Sequence, residues 1–280
     1  QILTALETKI YMGQLLATMS QNSADIQRGI YSMTQTIFNM PCAFITPITI
    51  SVIPAITAQL TLLKHKEAAA TEESAVRVMA LISMPCAFGL AVLAEPVTAL
   101  LGGYSGEDLV LATRLMTILG ISIMFNAVVL VTTSVMQAHG HVNRPVVNML
   151  IGGLIKLVAV FVLTGNPHIG IAGTPIGTLL CYLCICLLNV LSIRKLFEEP
   201  PAIVKNLIRP FVAAAFMGAC TWGAWYGLKQ VVSSRIILCG APILVGVVVY
   251  VVLAIKLKAI TRSDCLLLPK GEKIANLLKL

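Results

Sequence analysis

The chain has 280 residues, 58% of them hydrophobic and only 11% charged, with a mean hydropathy of +0.90. A water-soluble domain carries about a quarter of its residues as charges, so the composition excludes a soluble enzyme or signalling domain and points to lipid as the solvent. The net charge of +8 comes without basic stretches interleaved with aromatics, which argues against a nucleic-acid partner.

About 20 mostly apolar residues suffice to cross the hydrocarbon of a bilayer. Seven stretches qualify: 30–62, 76–101, 110–137, 143–164, 170–193, 207–228 and 235–256. The expected fold is therefore an all-α integral membrane protein, a multi-span helical bundle. Residues 1–20 read either as an amphipathic helix or as the end of a truncated span. The chain opens at Gln1 without the basic flank and short apolar run of a signal peptide, so it reads as the C-terminal portion of a longer protein.

The first stretch is unusually polar and carries Pro41, Pro47 and Pro54; the second carries Pro85 and Pro96. The pentapeptide MPCAF occurs in both, at 40–44 and 84–88. The two copies lie on consecutive spans that run in opposite directions, which argues against a duplicated module, and Cys42 and Cys86 have no histidine or second cysteine beside them to make a metal site. Proline removes a backbone hydrogen bond and clashes with the preceding turn, so the five prolines are expected to mark hinges in movable helices, the alternative being a static packing detail. Glu95 sits near the end of its span, within reach of the interface.

The third and fourth stretches each contain a cation, Arg114 and Lys156, with no acid inside either span. A cation at that depth costs about 2.5–3.5 kcal/mol and usually faces a cavity or a partner; the plain alternative for Arg114 is snorkelling to the head groups. An anionic substrate is the expected counter-charge. Asn39 and Asn126 are further cavity candidates, set against the reading that an asparagine between helices is only a packing hydrogen bond; Gln35 and Asn148 are polar in the same way. CYLCIC, with Cys181, Cys184 and Cys186, lacks a fourth ligand and does not read as a metal site. Gly170, Gly173 and Gly177 are expected to permit close helix approach. No hydrolase or metalloprotease motif is present, so the chain does not read as an enzyme.

Numbering the connections alternately puts fourteen of the twenty lysines and arginines on one side and four on the other. By the positive-inside rule, loops 63–75, 138–144 and 194–209 and the basic tail 258–280 are expected to face the cytoplasm of a multi-pass cell-membrane protein, where they also favour anionic lipid.

The stretch GIYSMTQTIFNMPCAFITPITISVIPAITAQL, followed by ISMPCAFGLAVLAEPVTALL, QAHGHVNRP, GGLIKLVAVFVL and GIAGTPIGTLLCYL, resembles the stage V sporulation protein B-like polysaccharide transporters over most of residues 25–195. Their relatives include the lipid II flippase and, more distantly, the multidrug and toxic compound exporters. The resemblance implies a two-lobe, fourteen-span flippase fold. Residues 1–196 are then the C-terminal lobe (the end of span 7 or an amphipathic helix, then spans 8–12), 197–257 two additional helices, and 258–280 the tail. It also implies a central cavity that carries a polyprenyl-pyrophosphate-linked oligosaccharide or peptidoglycan precursor outward, with Arg114 and Lys156 on the pyrophosphate, in cell-wall, polysaccharide or spore-wall synthesis. The sequence departs from the family at Val158-Ala159, where an Asn-Tyr pair is expected. No cofactor is implied, and a coupling ion is left open. A cation-coupled multidrug exporter would need intramembrane acids, and the spans offer only Glu95. A glycosyltransferase would need a sizeable catalytic loop. A non-transporting scaffold for envelope or spore-wall assembly remains as a further alternative.

Overall fold

The computed structural model describes residues 2–232 and 234–259. Of the expected basic tail, residues 260–280, with Arg262, Lys270, Lys273 and Lys279, lie outside the described residues. The described chain is helical throughout, without strands: α1 (Ile2–Thr18), α2 (Gln21–Thr61), α3 (His65–Val92), α4 (Ala94–Leu101), α5 (Gly106–Ala138), α6 (Asn143–Thr164), α7 (Gly173–Leu196), α8 (Ile203–Lys229) and α9 (Arg235–Lys256). Seven of these segments are long and apolar enough to cross a membrane, and they fall on the seven stretches expected from the sequence.

Helix α5 is the axis. Ala112, Leu115, Leu119, Ile123, Ala127, Val131 and Val135 recur every three or four residues along it and are all buried, and Met116, Val128 and Val129 bury further faces. A helix buried around most of its circumference belongs in the middle of a bundle, and α2, α3, α4 and α7 pack around it. Glu107 and Asp108 in its first turn suit the positive end of the helix dipole. Helix α6 buries a narrower stripe, Asn148, Gly152, Val160 and Thr164 at four-residue spacing, and presents Leu150, Leu154, Val158 and Phe161 outward, as a helix at the rim facing lipid does.

Close approach at α6–α7 depends on glycine. A Cβ at Gly177 would sit 2.8 Å from the Val160 side chain, and one at Gly173 2.8 Å from Leu163 and Thr164. Gly170 differs from expectation. It has open space around it and φ of +53°, so its role is to turn the chain into the short 3-10 segment Gly170–Ala172 rather than to bring helices together.

The prolines behave less uniformly than the sequence suggests. Helix α2 is continuous through Pro41, Pro47 and Pro54, and α3 through Pro85. The interruption falls at Leu93, between α3 and α4, and Pro96 lies in the first turn of α4, where a missing N–H costs least.

Hydrogen bonds tie the connections into two ends. At the basic end Thr57 donates to the Ala138 carbonyl at 3.3 Å, the Ala202 amide donates to Glu73 at 3.0 Å, and Arg209 donates to the Lys258 carbonyl at 3.1 Å. At the other end Lys229 pairs with Glu95 at 2.6 Å, and Arg235 donates to the Ala99 carbonyl at 3.3 Å. Glu95 therefore serves as a tie between α4 and α8.

Candidate functional site

Helix α1 runs alongside α6 in parallel register, with Leu3 against Gly153 and Gln14 against Gly165. This register brings Glu7 to Lys156: Nζ lies 2.7 Å from Oε2. Glu7 is 3% exposed, and its Oε1 accepts from the Tyr31 hydroxyl at 3.3 Å, while that hydroxyl accepts from Gln35 at 2.9 Å. Tyr11 meets Tyr31 edge-on, with ring centres 5.9 Å apart. Three helices thus contribute to one polar cluster at mid-depth, with Lys156 roughly 20 Å along α6 at 1.5 Å per residue.

This corrects the expectation that Lys156 has no protein anion. The partner stands on α1, upstream of the apolar stretches. Burying an ion pair in a low-dielectric interior requires short geometry and further hydrogen bonds on the remaining lone pairs; Tyr31 supplies one of these.

Arg114 is different. It lies on α5 about 12 Å from the helix start, is exposed, and has no hydrogen bond or ion pair among the described residues. Asn39 is likewise exposed. Asn126, expected beside a cavity, is 9% exposed and donates to Cys42 Sγ at 3.2 Å, so it ties α5 to the first MPCAF copy from inside the core. The four residues expected at one site are therefore distributed: Lys156 in the α1–α2–α6 cluster, Asn126 in the α2–α5 contact, and Arg114 and Asn39 on exposed surface.

A second polar network joins Asn148, polar within its apolar stretch, to Asn189, which the sequence does not single out. Asn148 on α6 donates to Asn189 on α7 at 2.9 Å, and Asn189 donates to Thr132 and Thr133 on α5 at 3.0 and 3.3 Å. Asn189 is fully buried. Its one signal is a lone asparagine within LLNVLS, since its partners come from two other helices. Cys181, by contrast, packs with Val129 and Ile185 as a small apolar side chain.

A groove of about 720 Å³ lies between α2, α3, α4, α8 and α9. Its walls are almost entirely apolar, and both MPCAF copies contribute to it: Met40 and Pro41 from one, Pro85 and Cys86 from the other. Pro85 leaves the Leu81 carbonyl without its helical donor. The Tyr250 hydroxyl on α9 donates to that carbonyl at 2.9 Å, so the second copy holds α9 in place at the groove. Gly89 lines the groove too, and a Cβ there meets nothing within 4 Å.

Seven membrane-length helices around buried polar contacts, with an open apolar groove along one side, make this chain a polytopic helical membrane protein. Residues 10–240 match the family described as Lipid II flippase MurJ, and the chain belongs to that family, whose work lies in cell-wall peptidoglycan synthesis. Solved structures share the fold. Lipid II flippase MurJ in an inward closed conformation superimposes with a TM-score of 0.66 at 14% identity, over 91% of this chain and 50% of that one. A MATE transporter in complex with MaL6 gives 0.60 at 14% identity, over 99% and 66%. A transporter of the MOP superfamily from Pyrococcus furiosus gives 0.58 at 12%, over 99% and 66%. The chain thus spans about half the length of the flippase it resembles. No curated protein sequence matches it.

Proposed function

We propose that this chain is the second lobe, with two additional helices, of a flippase that carries a polyprenyl-pyrophosphate-linked sugar across the cell membrane by alternating access, its basic end facing the cytoplasm. Residues 1–196 form the lobe, α8 and α9 are the added pair, and the polysaccharide-transporter resemblance of residues 25–195 supports an envelope or spore-wall precursor as cargo. The observation that carries the reading is the groove. A long isoprenoid chain needs an apolar channel open to lipid, and the walls at Ile37, Leu90, Ile243 and Val247 offer one. Arg114, exposed and unpaired among the described residues, supplies the charge a pyrophosphate would meet. Lys156 joins it only in a state where Glu7 has let go; Asn39 is exposed on α2, and Asn126 acts from behind Cys42.

A cation-coupled multidrug exporter is the second reading, and one observation favours it: Glu7 is the intramembrane acid such an exporter needs. Lys156 already holds its Oε2 at 2.7 Å, which favours an anionic cargo instead. Blocking the groove separates the two. Gly89→Trp in the full-length protein projects an indole into the groove from a position where a Cβ meets nothing within 4 Å, and it replaces a helical glycine, which favours the helix. Transport of a pyrophosphate-linked prenyl sugar in reconstituted vesicles is expected to fall at least about tenfold, the loss that about 1.4 kcal/mol on the limiting step produces. Unchanged prenyl-sugar transport, or export of lipophilic cations sensitive to Glu7→Gln, would sink the flippase reading.

A further inference from the structure

At the basic end, four elements converge on one carboxylate. Glu72, on the charged first turns of α3, is 1% exposed. Its Oε1 lies 2.6 Å from His139 Nε2. His139 ends α5, and its ring stacks on Phe197, the residue that ends α7, with centroids 3.7 Å apart. The backbone just before it is held by α2 through Thr57 and the Ala138 carbonyl. The other carboxylate oxygen, Oε2, is buried and has no hydrogen-bond partner. Beside the pair lies a cavity of about 310 Å³, lined among others by His65, Glu198 and Glu199.

We propose that Glu72, His139 and Phe197 form a proton-operated latch that closes the basic end of the bundle while His139 carries a proton and releases it when that proton leaves. A buried carboxylate with one unpartnered oxygen depends on a neighbouring cation, and the imidazolium is the group placed to supply it. Imidazole is the side chain that changes charge between pH 5 and 8. Losing the proton leaves Glu72 an anion facing a neutral ring, and water must then reach Oε2, which the adjoining cavity admits. Glu198 and Glu199 face the cavity from the α7–α8 connection and His65 faces it from α3, while His141 lies 6.1 Å from the Phe197 ring between centroids. Glu73 is occupied with Arg77 at 3.7 Å and the Ala202 amide, and α2 presents only Leu60 to the cavity. Acid opens the latch as well, by neutralising Glu72, so closure is confined to an intermediate window of pH.

The latch's role in gating transport rests on the transporter reading above; its existence does not. Hydrogen exchange of peptides covering 136–142 and 194–203, measured on the full-length protein in lipid discs at pH 6.0 and 8.5 and corrected for intrinsic rates, tests it directly. Protection in both peptides is expected to fall at least about tenfold at the higher pH, with the cores of α5 and α7 unchanged. Glu72→Gln keeps the shape of the side chain and removes its charge, and His139→Gln keeps a donor and removes the titration; each is expected to abolish the step. The latch is overturned if the wild type shows no step, if the step spreads over every helix, or if either variant retains it. A step in a protein that moves no lipid-linked sugar leaves the latch standing and removes the transporter reading.

Discussion

Helix α2 has two neighbourhoods that treat polar atoms in opposite ways. Toward α1 and α6, Tyr31 and Gln35 join Glu7 and Lys156 in a cluster where each charged or hydroxyl group meets a partner from another helix. Toward α3 and α9, Ile37, Met40 and Pro41 form the wall of a groove nearly devoid of polar atoms. In lipid a polar group persists only where a neighbouring segment satisfies it. The first neighbourhood therefore fixes where helices stand, and the second leaves room between them. A rigid seam beside an open slot is what a lobe needs if it is to move as a body while a lipid slides past it.

The contrast breaks most readily at Glu7. Lys156→Met leaves the buried Glu7 carboxylate with only the Tyr31 hydroxyl and is expected to cost about 3–5 kcal/mol of stability, read as a large fall in the thermal midpoint of the full-length protein in detergent. Glu7→Gln leaves the partly exposed Lys156 without its anion and is expected to cost less. The double variant Glu7→Leu/Lys156→Met removes both charges and is expected to recover most of the Lys156→Met loss, because an apolar pair of similar volume does not need compensation. If Lys156→Met costs less than about 1 kcal/mol, as for an exposed pair, the cluster is solvated and the contrast between the two sides of α2 disappears.

A smaller effect sharpens the groove side. Tyr250→Phe removes the donor that satisfies the Leu81 carbonyl, and an unsatisfied buried carbonyl costs about 1–3 kcal/mol. Replacing Pro85 by Ala returns an N–H to that carbonyl within α3, so Tyr250→Phe/Pro85→Ala is expected to be more stable than Tyr250→Phe alone. A double-mutant cycle on unfolding midpoints measures this coupling. Strictly additive costs would mean that the hydroxyl and the proline are independent, and that α9 is held by apolar packing only.

These two tests also mark what the sequence could and could not reveal. The seven spans were legible because crossing lipid imposes length and apolarity on contiguous residues, and no tertiary information is needed to read them. The freed carbonyl at Leu81 was deducible from Pro85 alone. The identity of its partner was not, since Tyr250 arrives from a helix distant in sequence and its register on α3 is set by packing. The same holds for Glu7: the lysine was visible as an anomaly in LIGGLIKLVAV, but its counter-charge depends on α1 lying parallel to α6. Gly170 was misread because glycine serves both close approach and positive φ, and only the backbone separates the two. Pro41, Pro47 and Pro54 were legible as prolines in an apolar run, yet α2 remains one helix through all three.

Arg114 carries the smallest expected effect on stability and the sharpest on transport. It makes no bond among the described residues and is exposed, so Arg114→Ala is expected to change the thermal midpoint by no more than about 0.5 kcal/mol in equivalent stability, as surface substitutions do. If it waits for a pyrophosphate, the same variant is expected to lower flipping of the pyrophosphate-linked sugar by at least about tenfold, since a hydrogen bond to a charged group contributes about 1.5–3 kcal/mol. Arg114→Lys keeps the charge but not the two-pronged geometry, and is expected to fall between. Lys156→Met is expected to lose transport together with stability and Arg114→Ala transport alone, and that difference would distinguish a cation that holds helices together from one that meets the cargo. Full activity in Arg114→Ala would return Arg114 to the plain role of reaching the head groups.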